Sequence, residues 1–190
     1  TPNRTLRTEG QALVTGAITS AGTFTNAGTL EKTDGADRTI STLFNNEGGT
    51  INVDAGILRL TGGGTSTDGT FNVTGTSLLI SGAHNLTGTY TGSGTGAIQF
   101  TSGTMIIGAA GATFAMTSDN FSVGTSFTVT VNGTGTLTNA VGSFFRIVNS
   151  SLILNTNFNN QGQVNHGIVG TGAGPISIAS GKSITNNGTW

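Results

Sequence analysis

The stretch FNNEGGTINVDAGILRL, residues 44–60, contains two short runs in which apolar and polar residues alternate. Ile51-Asn52-Val53 and Leu58-Arg59-Leu60 each place every second side chain on one face, the period of a half-buried strand. Between them Asp54-Ala55-Gly56 is turn chemistry, as is the Gly cluster that follows at residues 62–64. A third short strand begins at Phe44 and bends at Asn46 to Gly49. Three short strands and three bends are therefore expected to make one unit.

The same grammar runs outward along the chain. Ile98-Gln99-Phe100, Ile176-Ser177-Ile178 and the run Phe127-Thr128-Val129-Thr130-Val131 alternate in the same way. Apolar residues do not recur at three-four spacing, and Gly, Thr, Ser and Asn interrupt every window, so no helix is expected. Repetition then selects the architecture. Phe24-Thr25-Asn26-Ala27-Gly28-Thr29-Leu30 returns at Phe44, again as Phe158-Asn159-Asn160-Gln161-Gly162-Gln163-Val164, and again at Ile184, with weaker echoes from Phe71, Tyr90 and Phe114. These starts predict an all-β parallel β-helix (a β-solenoid) of about seven to eight coils, each of roughly 20–27 residues. At the bends, stacked Asn side chains are expected to bond from coil to coil, with Gly relaxing the backbone. An immunoglobulin-type sandwich would not explain why Phe-x-Asn and Asn-x-Gly-Thr return together.

Composition supports a folded chain with an uncharged surface. Charged residues are 8% of the 190, against about 25% in ordinary domains. Gly accounts for 32 residues, and the formal net charge is −1. Of the eight acids, only Asp119 lies beyond residue 70. The basic residues Arg4, Arg7, Lys32, Arg38, Arg59, Arg146 and Lys182 are scattered, which argues against a nucleic-acid partner. There is no cysteine, hence no disulfide scaffold, thiolate metal site or thiol nucleophile. The longest apolar run, Met105 to Met116, is too short to span a bilayer and reads as core. Trp190 falls in mid-motif and neither end shows a polar cap, so residues 1–190 are expected to be one segment of a longer array, or to associate end to end.

Phe44 to Gly64, followed by Gly69-Thr70-Phe71-Asn72-Val73 and Ser81-Gly82-Ala83-His84-Asn85-Leu86, resembles repeats of very large bacterial surface proteins. These are adhesin-like, autotransporter-like and filamentous-haemagglutinin-like chains that form right-handed parallel β-helices, so the resemblance implies an all-β right-handed parallel β-helix here. The likeness covers residues 20–110 best and is looser over 111–190. It implies a secreted, extracellular stalk or adhesive segment, partnered by neighbouring repeats, sister chains, surface glycans or matrix. Fold does not settle activity, so an extracellular filament subunit, a carbohydrate-active enzyme and an ice-binding protein stand as alternatives.

Candidate sites are weighed on their chemistry. Asp34 and Asp37 are close in sequence, but Gly35, Arg38, Glu31 and Lys32 surround them as in a charged bend rather than a two-carboxylate cleft. Asn165-His166-Gly167 and Arg146-Ile147 are similar to elements of pectin hydrolases, in reversed order and without a paired-Asp motif. His84 is expected at a bend, bonded to backbone, since no second His or acidic cluster adjoins it. Gly181-Lys182-Ser183 has the wrong spacing for a phosphate loop. The pairs Thr23/Thr25, Thr89/Thr91 and Thr128/Thr130 are expected to point outward, and a flat array of them would order water. No catalytic, cofactor-binding or metal-ligating residue is assigned, and no enzymatic activity or cofactor is expected.

Overall fold

The computed structural model describes residues 5–19, 21–124, 127–148, 151–167 and 174–190; Arg4 falls outside them. Every regular element among these residues is a strand. The first coil holds β1 (Thr5–Thr8) and β2 (Gln11–Leu13), and its third side is the single bridge from Ile18 to Ile40. The second has β3 (Thr23–Asn26), β4 (Thr29–Lys32) and β5 (Arg38–Ile40); the third has β6 (Leu43–Glu47), β7 (Thr50–Val53) and β8 (Ile57–Leu60). Through the next coils the strands run on around corners, as β9 (Gly64–Val73), β10 (Ser77–Ser93) and β11 (Ala97–Met116), until β12 (Phe121–Val123). Three strands per coil then resume: β13 (Val129–Gly133), β14 (Thr136–Asn139) and β15 (Phe144–Ile147), then β16 (Leu152–Leu154), β17 (Asn157–Asn160) and β18 (Gln163–His166). β19 (Ile176–Ile178) and β20 (Ile184–Asn186) begin the last, which ends in a bridge from Thr189 to Gln163.

Each strand pairs in parallel with its equivalent one coil away, as in Phe24↔Phe44, Leu30↔Ile51 and Leu58↔Leu78. The chain is thus a β-solenoid of about eight turns with three sheets. With ~4.8 Å between rungs, the rod is about 40 Å long. Inward positions line up into columns. On the third sheet Ile40, Leu60, Ile80, Phe100, Val123 and Ile147 follow one another in register, all buried. Each such side chain contributes about 1.5–3 kcal/mol by leaving water. Aromatic rings add a second thread: Phe71, Tyr90, Phe114, Phe121, Phe145, Phe158 and Trp190 form a chain of neighbours with centroids 4.6–6.3 Å apart.

The Phe-x-Asn-x-Gly repeat marks a corner, and the structure uses it at two different ones. Phe24 and Phe44 stack edge to face at 5.6 Å on the first sheet. Phe158, however, lies on the second sheet, between Leu137 and Ile184. Phe71 and Phe114 also belong to the second sheet. On the first sheet the rungs from His84 onward instead carry Met105, Val131, Leu154 and Ile178. Equating the starts at 24, 44, 71 and 158 is therefore corrected by one sheet, although the coil count stands. The mean spacing hid the slip because the step from Phe44 to Phe71 contains one coil and one extra side.

Both corners are built on a buried amide ladder. At the first, Asn26 Nδ2 donates to Asn46 Oδ1 at 2.8 Å and to the Thr50 carbonyl at 3.1 Å. At the second, Asn139 donates to Asn160 at 2.8 Å, and Asn160 donates to Asn186 at 2.6 Å and to the Thr189 carbonyl at 2.9 Å. Asn26, Asn46, Asn139 and Asn160 are fully buried. The Oδ1 atoms of Asn26 and Asn139 lack a partner, because the rungs before them offer Thr8 and Phe114 instead of an amide. The associated glycines make room: a Cβ on Gly49 would collide with the Asn26 amide, and one on Gly69 with that of Asn46. Gly48, with φ 69°, supplies the left-handed residue of the same bend.

Asn46→Ala leaves buried polar groups of the first corner without partners and is expected to cost about 2 kcal/mol or more. Asn45→Ala, which removes only an exposed acceptor of the Thr65 N–H, should cost less than about 1 kcal/mol. Urea unfolding midpoints of the two variants make the comparison.

Candidate functional face on the third sheet

Alternation that sends Leu58 and Leu60 inward sends Arg59 outward, and the register repeats this in each coil. Thr39, Arg59, Leu79, Gln99, Ser122, Arg146 and Asn165 form one outward column along the rod. Each arginine is held by an acid. Arg59 Nη2 lies 3.1 Å from Asp37 Oδ2, and Arg146 Nε lies 3.6 Å from Asp119 Oδ1. Asn165 also donates to Asp119, at 3.3 Å, and receives a bond from Gln163 Nε2 at 2.8 Å.

Over Arg59, Leu79 and Gln99 the surface sinks into an open groove of about 320 Å3, flanked by the hydroxyls of Thr61, Ser81 and Thr101. Its wall is Phe127, 68% exposed. Thr101 and Ser102 link the third sheet to the first in one coil, whereas a longer connection joins Val123 to Val129 in the next, and Phe127 belongs to it. This corrects the expected strand from Phe127 to Val131. Phe127 shares the inward parity of Val129 and Val131 but precedes β13 and lies outside the core.

The residues singled out in the sequence fall into place as follows. Lys32 is buried and donates to Asp34 Oδ1 at 2.5 Å and to the carbonyls of Asp34 and Ala55. The Lys32 ammonium, with Arg38 behind it, holds the Asp34 carboxyl below the usual carboxylate range. Asp34 thus serves as a counterion, and its neighbour Asp37 is engaged with Arg59. Arg146-Ile147 and Asn165-His166, far apart in sequence, pair residue for residue on adjacent rungs. Through Asn165 and Arg146 they share Asp119, while His166 Nε2 lies 2.9 Å from the Gly174 carbonyl.

The threonine pairs do not form one array. Thr23/Thr25 lie on the first sheet and Thr128/Thr130 at its entry, whereas Thr89/Thr91 lie on the second. Sequence reasoning missed a longer column on the second sheet: Thr29, Thr50, Thr70 and Thr91 occupy consecutive rungs. Thr70 Oγ1 and Thr91 Oγ1 are 3.0 Å apart, beside the outward amides of Asn52 and Asn72. The signal was a Thr immediately ahead of Leu30, Ile51 and Phe71.

His84 is in β10 rather than at a bend, faces the core, and directs Nε2 at the Ser81 carbonyl, 3.1 Å away. It stacks in register on Gly64 and, with Phe44, Phe71 and Tyr90, lines a void of about 20 Å3. Tyr90 closes that void from the next side, its hydroxyl donating to the Ser66 carbonyl at 2.7 Å, and burial pushes its phenol well up.

No protein-family model, no curated protein and no solved structure matches this chain.

Burial lowers the His84 pKa to about 4 from 6.5, against the Ser81 bond, which raises it. The unfolded chain therefore takes up this proton first as pH falls. Stability from neutral His84 is intact above pH 6.5 and declines toward pH 4, by on the order of 3 kcal/mol. His84→Met, which matches the Met105 rung beyond it, removes that titration. Urea unfolding of both proteins at several pH values should show a wild-type loss over this window that exceeds the variant's by that amount.

Proposed function

We propose that this chain is a structural and adhesive repeat segment of a secreted bacterial surface protein, working as a stiff spacer with weakly binding faces. The observation that carries this is the parallel stack followed by every ladder along the rod, in register but for bulges in β10. Such a stack resists bending, because each rung is tied to its neighbours by backbone bonds along all three sides. Its outer columns present hydroxyl and amide groups at a rung-to-rung repeat, which suits many weak contacts acting together. The sequence resemblance to surface-protein repeats supports the location outside the cell.

A filament subunit is the second reading, favoured by the exposed apolar side chains of the end coils. Leu6 at one end, and Ile178 and Trp190 at the other, are each 45–59% exposed. A further coil, from the same chain or a sister chain, would cover them.

Antibody raised to the segment is expected to label intact cells of the source organism, and beads coated with the segment to adhere to those cells' matrix. Labelling only after lysis overturns the surface assignment. Sustained release of reducing ends from a polysaccharide panel would replace adhesion by catalysis. Growth of fibres with concentration in light scattering selects the filament.

A further inference from the structure

We propose that the groove over Arg59, Leu79 and Gln99 is a binding subsite for an uncharged polysaccharide lying along the rod, an inference that rests on the adhesive reading and assigns it a ligand class. A pyranose ring has apolar C–H faces and a rim of hydroxyls. It is held by a flat apolar surface together with groups that both donate and accept. The groove supplies both. Phe127 and Leu79 are its apolar surfaces. Phe127 carries no polar atom on its ring, yet is 68% exposed while Phe100, Phe114 and Phe121 are buried. The Gln99 amide and the hydroxyls of Thr61 and Ser81 donate and accept along the same rungs, and Thr101 Oγ1, whose proton goes to the Ile80 carbonyl at 3.2 Å, accepts.

Charge narrows the class. Among the described residues, the only ionised side chain lining the groove is Arg59, and Asp37 neutralises it at 3.1 Å. No net field therefore favours a uronate or sulfate over a neutral sugar. At about 320 Å3 the groove is at the small end of ligand sites, which run from about 300 to 1,000 Å3, enough for one or two rings. Past it the column is covered at Ser122, 5% exposed, and opens again at Arg146 and Asn165. A chain long enough to cross the covered rung thus finds further polar positions, and affinity grows with length.

Saturation-transfer NMR and calorimetry with cellohexaose, mannohexaose and hexagalacturonate test the site. At least one neutral hexasaccharide is expected to bind with a Kd on the order of 1 mM, more tightly than its disaccharide. Phe127→Ala and Gln99→Ala should each weaken it about tenfold, while Asn45→Ala on the first sheet leaves it unchanged. Because Phe127 lies outside the strands and the core, its variant is expected to stay folded, which its circular dichroism spectrum and a cooperative urea transition check. Absence of neutral-sugar binding, tighter binding of the galacturonate, or wild-type affinity in Phe127→Ala overturns the proposal. Adhesion of segment-coated beads without hexasaccharide binding removes the groove and leaves the surface role. Hexasaccharide binding by a chain found only inside cells does the reverse.

Discussion

A buried carboxamide has two donors and one acceptor oxygen to satisfy, and inside this rod there is only the next rung to satisfy them. Asn46 and Asn160 meet that requirement fully, each accepting from the amide of the preceding rung and donating to carbonyls of its own bend or of the next rung, Asn160 also to the exposed amide of Asn186. Asn26 and Asn139, at the head of each ladder, donate onward but leave Oδ1 without a partner. A slip of one residue would turn these amides outward and the neighbouring polar side chains inward. The ladders therefore hold the register that the apolar columns by themselves would tolerate less strictly. They also explain the glycines beside them, since the Asn26 and Asn46 amides occupy the space a Cβ would need at Gly49 and Gly69. Sequence motif, corner geometry and register are one constraint seen at three scales.

Much of this was legible from residues alone. Alternation in Ile51-Asn52-Val53 and Leu58-Arg59-Leu60 sets which side chains are buried, and the return of Phe24 at Phe44 sets the stacking. What misled was the assumption that one motif marks one place in the coil. A corner needs an inward Asn followed by a small residue, and a triangular coil has more than one corner where that solution works. The same local chemistry at Phe44 and at Phe158 therefore gives no information about which corner is meant. Only the pairing of Phe158 with Ile184 and Leu137 reveals it.

The candidate face was less legible, again for a physical reason. Outward residues are not constrained by packing, so Arg59, Leu79 and Gln99 show no common type to betray their alignment. Phe127 follows the parity of the strand after it, and parity carries no notice that the strand starts two residues later. His84 has the composition of a bend around it, Ser-Gly-Ala before and Asn after, yet the backbone continues as strand and takes the ring into the core. In contrast, Asp34 and Asp37 behave as their cationic neighbours suggest, tied to Lys32, Arg38 and Arg59.

Successive coils stack in parallel, with the motif moved from the first sheet to the second, and methyl- and ring-resolved nuclear Overhauser spectroscopy reads those neighbours one by one. Cross-peaks are expected to link Leu58 to Leu78 and Leu78 to Ile98, the rings of Phe24 and Phe44, and Phe158 to both Leu137 and Ile184. Cross-peaks requiring antiparallel neighbours, or a Phe158 ring packed between Val131 and Ile178 in place of Leu154, would overturn that arrangement.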